Sequence, residues 1–182
     1  MILLLLADGF EEIEALCPLD ILRRLGADIK TVGITGKSVK GSHGVTVEAD
    51  LLADEVDASL AEHLILPGGM PGSSNLDASP LTDVLINEVL AKGGKIGAIC
   101  AAPFVLGKRG LLEGKRAVCY PGFENELKGA IISAGDFVVT DGSITTAKGM
   151  GVALAFAKRL AKEFLGCTES EIDKLCKSIM EY

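Results

Sequence analysis

The chain has 182 residues, 48% hydrophobic and only 4% aromatic with no tryptophan, so its core must be built from Leu, Ile, Val and Ala. A formal net charge of -7 argues against a surface of clustered Lys and Arg for nucleic acid, and no apolar run reaches the roughly 20 residues of a membrane span. The five cysteines are odd in number and include no C-x-x-C pair, which argues against a disulfide framework. Neither histidine stands at metal-ligand spacing from a cysteine, so no metal is expected. The apolar start, stopped at Asp8, is too short for a signal peptide. One soluble, cytoplasmic domain over residues 1–182 is the expectation.

Ile2–Leu6 is five aliphatics in a row, which predicts a central strand buried on both faces. Asp8, Gly9 and Phe10 turn the chain. Glu11, Glu12 and Glu14 then lead into a helix stopped by Gly26, with Pro18 inside it to kink it or remove a hydrogen bond. Glu11 and Glu12 read as solvated charges that complement the helix dipole. Glu14 is set apart, because it lies at the carboxyl-end corner of a strand, where open α/β sheets bind ligands. A second strand is expected over 28–34, and a hairpin excursion over 38–47 around Ser42, His43 and Gly44. The strand 64–66 runs into Pro67-Gly68-Gly69-Met70-Pro71-Gly72, which lacks the Lys and Ser/Thr of a Walker loop. Its glycines suit either a tight turn or a close approach of backbone N–H groups to a ligand. An amphipathic helix follows over 81–90.

Residues 95–106 organise the rest. The apolar run 96–99 reads as a short buried strand, Cys100 follows at once, and Ala101, Ala102 and Pro103 open a helix towards Arg109. Pro103 fits a first helical turn, where the missing N–H has no intrahelical use. Strand, sharp corner and helix make a nucleophile elbow, without the G-x-S-x-G spacing of the hydrolases. Amides at the helix start favour a thiolate, which makes Cys100 the expected most acidic of the five thiols. On position alone, a buried packing cysteine is an equal alternative. Cys17, Cys167 and Cys176 read as packing residues on helices. Beyond the elbow come a strand at 116–119, a helical turn at 123–127, and a hairpin of 137–140 with 143–146 around Asp141-Gly142. Val152, Phe156, Leu160 and Phe164 stripe one helix, and Thr168 with Glu171 caps the last. The alternation predicts a mostly parallel sheet with helices on both faces.

Three corners, at Asp8 to Glu14, Pro67 to Gly72 and Cys100 to Pro103, would meet at the carboxyl edge of that sheet. There the amides of Gly69 and Ala101 would serve as oxyanion donors beside the sulfur. The segments Asp8-Gly9-Phe10-Glu11-Glu12-Ile13-Glu14, Leu66-Pro67-Gly68-Gly69, Ala98-Ile99-Cys100-Ala101-Ala102-Pro103 and Thr146-Ala147-Lys148-Gly149 resemble, in order, the four signature segments of the DJ-1/ThiJ/PfpI superfamily. The resemblance implies a flavodoxin-like three-layer α/β sandwich, usually a homodimer, and needs no cofactor. By that resemblance Cys100 matches a reactive, easily oxidised cysteine, Glu14 the carboxyl that hydrogen-bonds it, and Gly69 and Ala101 the oxyanion-type amides.

The departures are informative too. Ala101 stands where the protease-like branch carries His, and Tyr120 where members studied as glyoxalases often carry His. His63 falls at the far end of the sheet, so no Cys-His dyad is expected. Gly68, His43 and Tyr120 are the candidate substrate contacts. Two functions are implied. In one, Cys100 and Glu14 convert a small α-oxoaldehyde such as methylglyoxal to a hydroxy acid, or act on glycated protein. In the other, Cys100 is oxidised to sulfinic acid in a redox-responsive stress protein.

Overall fold

The computed structural model describes residues 1–181. The strands are β1 (Ile2–Leu6), β2 (Ile29–Gly33), β3 (Ser38–Lys40), β4 (Thr46–Glu48), β5 (Leu51–Leu52), β6 (His63–Leu66), β7 (Lys95–Ile99), β8 (Arg116–Ala117), β9 (Ile131–Ile132), β10 (Val138–Asp141) and β11 (Ile144–Ala147). The helices are α1 (Glu12–Arg24), α2 (Gly72–Ala78), α3 (Pro80–Ala91), α4 (Pro103–Lys108), α5 (Ala153–Leu165) and α6 (Glu169–Ser178). Seven strands form the main sheet in the order β10-β11-β7-β6-β1-β2-β5. Only β10 runs antiparallel, paired to β11.

Strand alternation divides the interior in two. Ile2, Leu4 and Leu6 of β1 face a core shared with Leu19 and Leu22 of α1, Phe156 and Leu160 of α5, and Ile172 of α6. Leu3 and Leu5 face the other side, against Leu76 of α2, Leu85 and Val89 of α3, and Val105 of α4. Continuous aliphatic strands are what a parallel sheet covered on both faces requires. The three-layer flavodoxin-like sandwich is borne out. Gly97 in β7 shows how tightly the layers meet: a Cβ there would stand 2.7 Å from Leu160 Cδ2 and 3.0 Å from the Phe156 ring. Among the described residues, no helix is long and apolar enough to cross a membrane.

Local details differ from the sequence expectation at α2 and at the β10–β11 turn. The helix α2 was not foreseen, because Gly72-Ser-Ser-Asn is a poor helix opening and packing of Leu76 decides the matter. The β10–β11 turn is Gly142-Ser143, one residue later than the Asp141-Gly142 pair, with Gly142 at φ 60°. Pro18 sits inside α1 as expected: the helix runs from Glu12 to Arg24, and the missing N–H leaves the Glu14 carbonyl without its helical donor. The Thr168–Glu171 capping box of α6 forms in both directions.

Candidate active site

The carboxyl ends of β1, β6 and β7 open on one edge of the sheet, and the three corners after them pack together. The first turn of α1 is bolted to the corner after β6, where the Glu11 amide donates to the Gly68 carbonyl at 2.9 Å. This places Glu14, one turn on, with its side chain pointing inward; it is 1% exposed. Its Oε2 accepts the Gly68 amide at 3.0 Å, and its carboxyl is hydrogen-bonded to the Cys100 sulfur. Cys100 has φ 66°, in the left-handed region that a side chain rarely adopts. Such strain persists only where the surroundings over-determine it. Here the Cys100 amide donates to the Ala147 carbonyl, and the Tyr120 amide donates to the Cys100 carbonyl, each at 2.8 Å. The amides of Gly69 and Ala101 both reach the sulfur.

Burial drives the electrostatics. It pushes the Glu14 carboxyl up to about 7, against the opposing hydrogen bonds from Cys100 and from the Gly68 and Met150 amides. Burial likewise pushes the Cys100 thiol up to about 12, reinforced by the charge and hydrogen bond of Glu14. The expected acidic thiol is therefore corrected. The amides of Ala101 and Gly69 do lower the value, but burial of the sulfur, joined by the carboxylate beside it, outweighs them. The two groups behave as a pair. One proton leaves near pH 7, and the second stays until about 12, because a buried dianion is opposed twice over. Between those values the pair shares one proton across a hydrogen bond, poised for transfer from sulfur to carboxylate.

His43 is drawn elsewhere. Its Nδ1 lies 3.0 Å from a Glu12 oxygen and 3.3 Å from a Glu11 oxygen, and the first of these bonds raises its pKa. Glu12 also corrects the sequence reading: it is not a solvated charge but is 7% exposed. Its Oε1 accepts the His43 amide at 2.8 Å and the Val45 amide at 3.4 Å, latching the β3–β4 turn onto α1. Burial pushes this carboxyl up, yet the hydrogen bonds prevail and bring it down to about 2. Glu11, Glu12 and His43 are also close enough together to hold a cation. Their atoms already satisfy one another, which makes the group a structural ion pair. Tyr120 borders the site with its ring 3.4 Å from where a Gly149 Cβ would be. His63 stacks on Phe164 at 4.5 Å, at the opposite end of β6. Met150 and Phe137, which flank Tyr120 in space, escaped sequence reasoning because they come from distant parts of the chain.

Comparison with known proteins agrees with this geometry. The family model described as "DJ-1/PfpI family" matches residues 1–163. The chain is 34% identical over 180 residues to "Protein dj-1beta" of Drosophila melanogaster, covering 98% of this chain and 95% of that one. It is 32% identical over 178 residues to the "Glutathione-independent glyoxalase DJR-1.2" of Caenorhabditis elegans, covering 96% and 95%. Among solved structures it superposes with a TM-score of 0.91 on a cysteine-to-alanine variant of a DJ-1 superfamily protein from Salmonella typhimurium, at 34% identity, covering 100% and 98%. Signature segments, elbow and overall likeness coincide over nearly the whole length, and the chain belongs to the DJ-1/PfpI family.

Proposed function

We propose that the protein is a cofactor-free enzyme that converts a 2-oxoaldehyde, R–CO–CHO, to the 2-hydroxy acid, with Cys100 as nucleophile and Glu14 as the proton carrier. One observation carries the reading: a carboxyl raised to about 7 is hydrogen-bonded to a strained elbow thiol. A general base working near neutral pH needs a pKa of that order. The relative from Caenorhabditis elegans named as a glutathione-independent glyoxalase supports the same class of chemistry.

Ionised Glu14 takes the thiol proton as sulfur bonds to the aldehyde carbon, and the amides of Gly69 and Ala101 receive the oxygen that gains the π pair. Glu14 then protonates that oxygen, giving a hemithioacetal. The carboxylate so regenerated removes the C1 hydrogen. The released pair forms C1=C2 and moves charge to the C2 oxygen, which takes the hydroxyl proton. Glu14 returns its proton to C2 as C1 becomes a thioester carbonyl. Water adds, the C–S bond breaks, and the proton freed from water ends on the departing sulfur by way of Glu14. Carbon 1 is oxidised, carbon 2 is reduced, and water is the only co-reactant. Early glycation adducts present a related carbon centre on a larger partner.

A second reading, with Cys100 ending as a sulfinic acid, is favoured by the same amides, which would also hold a sulfinate oxygen. The raised thiol weighs against it, since peroxide reacts with thiolate. The enzyme reading makes a pH prediction. Glu14 must be ionised to accept the thiol proton, so methylglyoxal consumption should fall as pH drops through about 7 and level off above it. Initial rates across pH 5 to 9 measure this, and a flat profile would contradict the role given to Glu14.

A further inference from the structure

An apolar pocket of about 320 Å³ opens beside the reacting pair, walled by Tyr120, Pro121, Phe137, Gly149, Met150 and Val152. Its walls are continuous with the site. A Cβ on Gly149 would stand 3.8 Å from Glu14 Oε1, the Met150 amide hydrogen-bonds the Glu14 carboxyl, and Tyr120 is pinned by its amide to Cys100. Tyr120 at 52%, Phe137 at 62% and Met150 at 50% are large apolar side chains left exposed side by side around this one concavity. Exposed apolar groups gathered into one concavity mark a binding surface. Lys148, which also lines the pocket, is occupied: its Nζ donates to the Ala134 carbonyl at 2.5 Å and lies 5.1 Å over the Phe137 ring. A volume at the lower end of ligand pockets suits a ring or a branched chain, and a methyl group would leave most of it empty.

We propose that this pocket receives the substituent R of R–CO–CHO, and that the site is built for 2-oxoaldehydes whose R is aromatic or branched. The inference rests on the reading of Cys100 and Glu14 above and adds the substrate class. In this arrangement the two carbonyls face the Gly69 and Ala101 amides while R leaves water. Tyr120 and Phe137 offer ring faces to an aryl group, and Met150 supplies a thioether that adapts to its outline. The chemistry and its balance are unchanged: the product is R–CHOH–COOH, and water is again the only co-reactant.

The test compares kcat/KM for phenylglyoxal and methylglyoxal in wild type, Phe137→Ser and Val152→Phe. The first variant removes an exposed wall, and the second fills the space. Wild type should prefer phenylglyoxal by about 10–200-fold, the range that apolar pockets achieve. Each variant should lower that ratio by roughly tenfold. Methylglyoxal turnover with a ratio near one in wild type would overturn the pocket assignment and leave the Cys100 chemistry standing. Turnover of neither substrate would overturn that chemistry, and the inference with it. A ratio indifferent to Phe137→Ser, together with a changed mass in light scattering, would assign the patch to a second copy of the chain and overturn the proposal.

Discussion

Glu14→Gln should lower methylglyoxal turnover by about 10²–10⁴-fold, the usual worth of general acid–base catalysis, and at the same time stabilise the fold. The amide can accept from the Gly68 N–H and donate to sulfur as the carboxyl does, but it cannot take and return a proton. Alkylation of Cys100 should therefore survive the change, because the charge that holds the thiol up is gone. The stability effect follows from the raised carboxyl. Folded Glu14 keeps its proton to about pH 7, whereas the unfolded chain loses it near 4.5. The folded state thus binds more protons between these values, and stability falls as pH rises through that window. The whole loss, roughly 3 kcal/mol at 1.36 kcal/mol per unit, is in place above pH 7. Gln removes it. At pH 8 the variant should melt about 6–12 °C above wild type, and at pH 4 the two should converge. A variant that melts lower at pH 8 would mean that buried Glu14 carries no such penalty.

Gly68→Ala should damage both fold and turnover, because the added Cβ lands inside the reacting pair itself. A Cβ there would fall on Glu14 Oε2, 2.5 Å from Cys100 Cβ and 2.9 Å from the Ile99 carbonyl. Those neighbours are a buried carboxylate, a strained elbow and a strand backbone, and none can swing aside. Overpacking of this kind costs about 1–3 kcal/mol or more. Moving the carboxyl from the sulfur by even ~1 Å should cost about 100-fold in turnover as well. Gly135→Ala is the control, since nothing lies within 4 Å of its Cβ position. Urea unfolding and methylglyoxal kinetics measure both effects, and a fully active, fully stable Gly68→Ala protein would refute the packing described.

What could be read from the sequence was whatever depended on neighbours along the chain. Five aliphatics at Ile2–Leu6 require a strand buried twice, and Cys100 between an apolar run and Pro103 requires a corner. Glu14 was singled out because strand β1 ends just before its helix begins. What could not be read depends on chain folded back from elsewhere. Glu12 looks solvated until the turn at His43, 31 residues on, brings its amides to the carboxylate. The acidity of Cys100 was misjudged for a related reason. Helix-start amides are visible in a sequence, but burial and the distance of Glu14 are not. The pocket was hidden too, since Tyr120, Phe137 and Met150 share no period and meet only in the fold.

In the proposed reaction Cys100 forms the bond to substrate and Glu14 moves the proton between its carbons. Lactate formed from methylglyoxal, without glutathione, by wild type and by Cys100→Ala is the direct measurement. Alanine keeps the Gly69 and Ala101 amides and the buried Glu14 while removing only the sulfur. Wild type should form lactate well above the buffer background, and the variant none above it. Equal lactate from both proteins, or none from wild type, would contradict these roles.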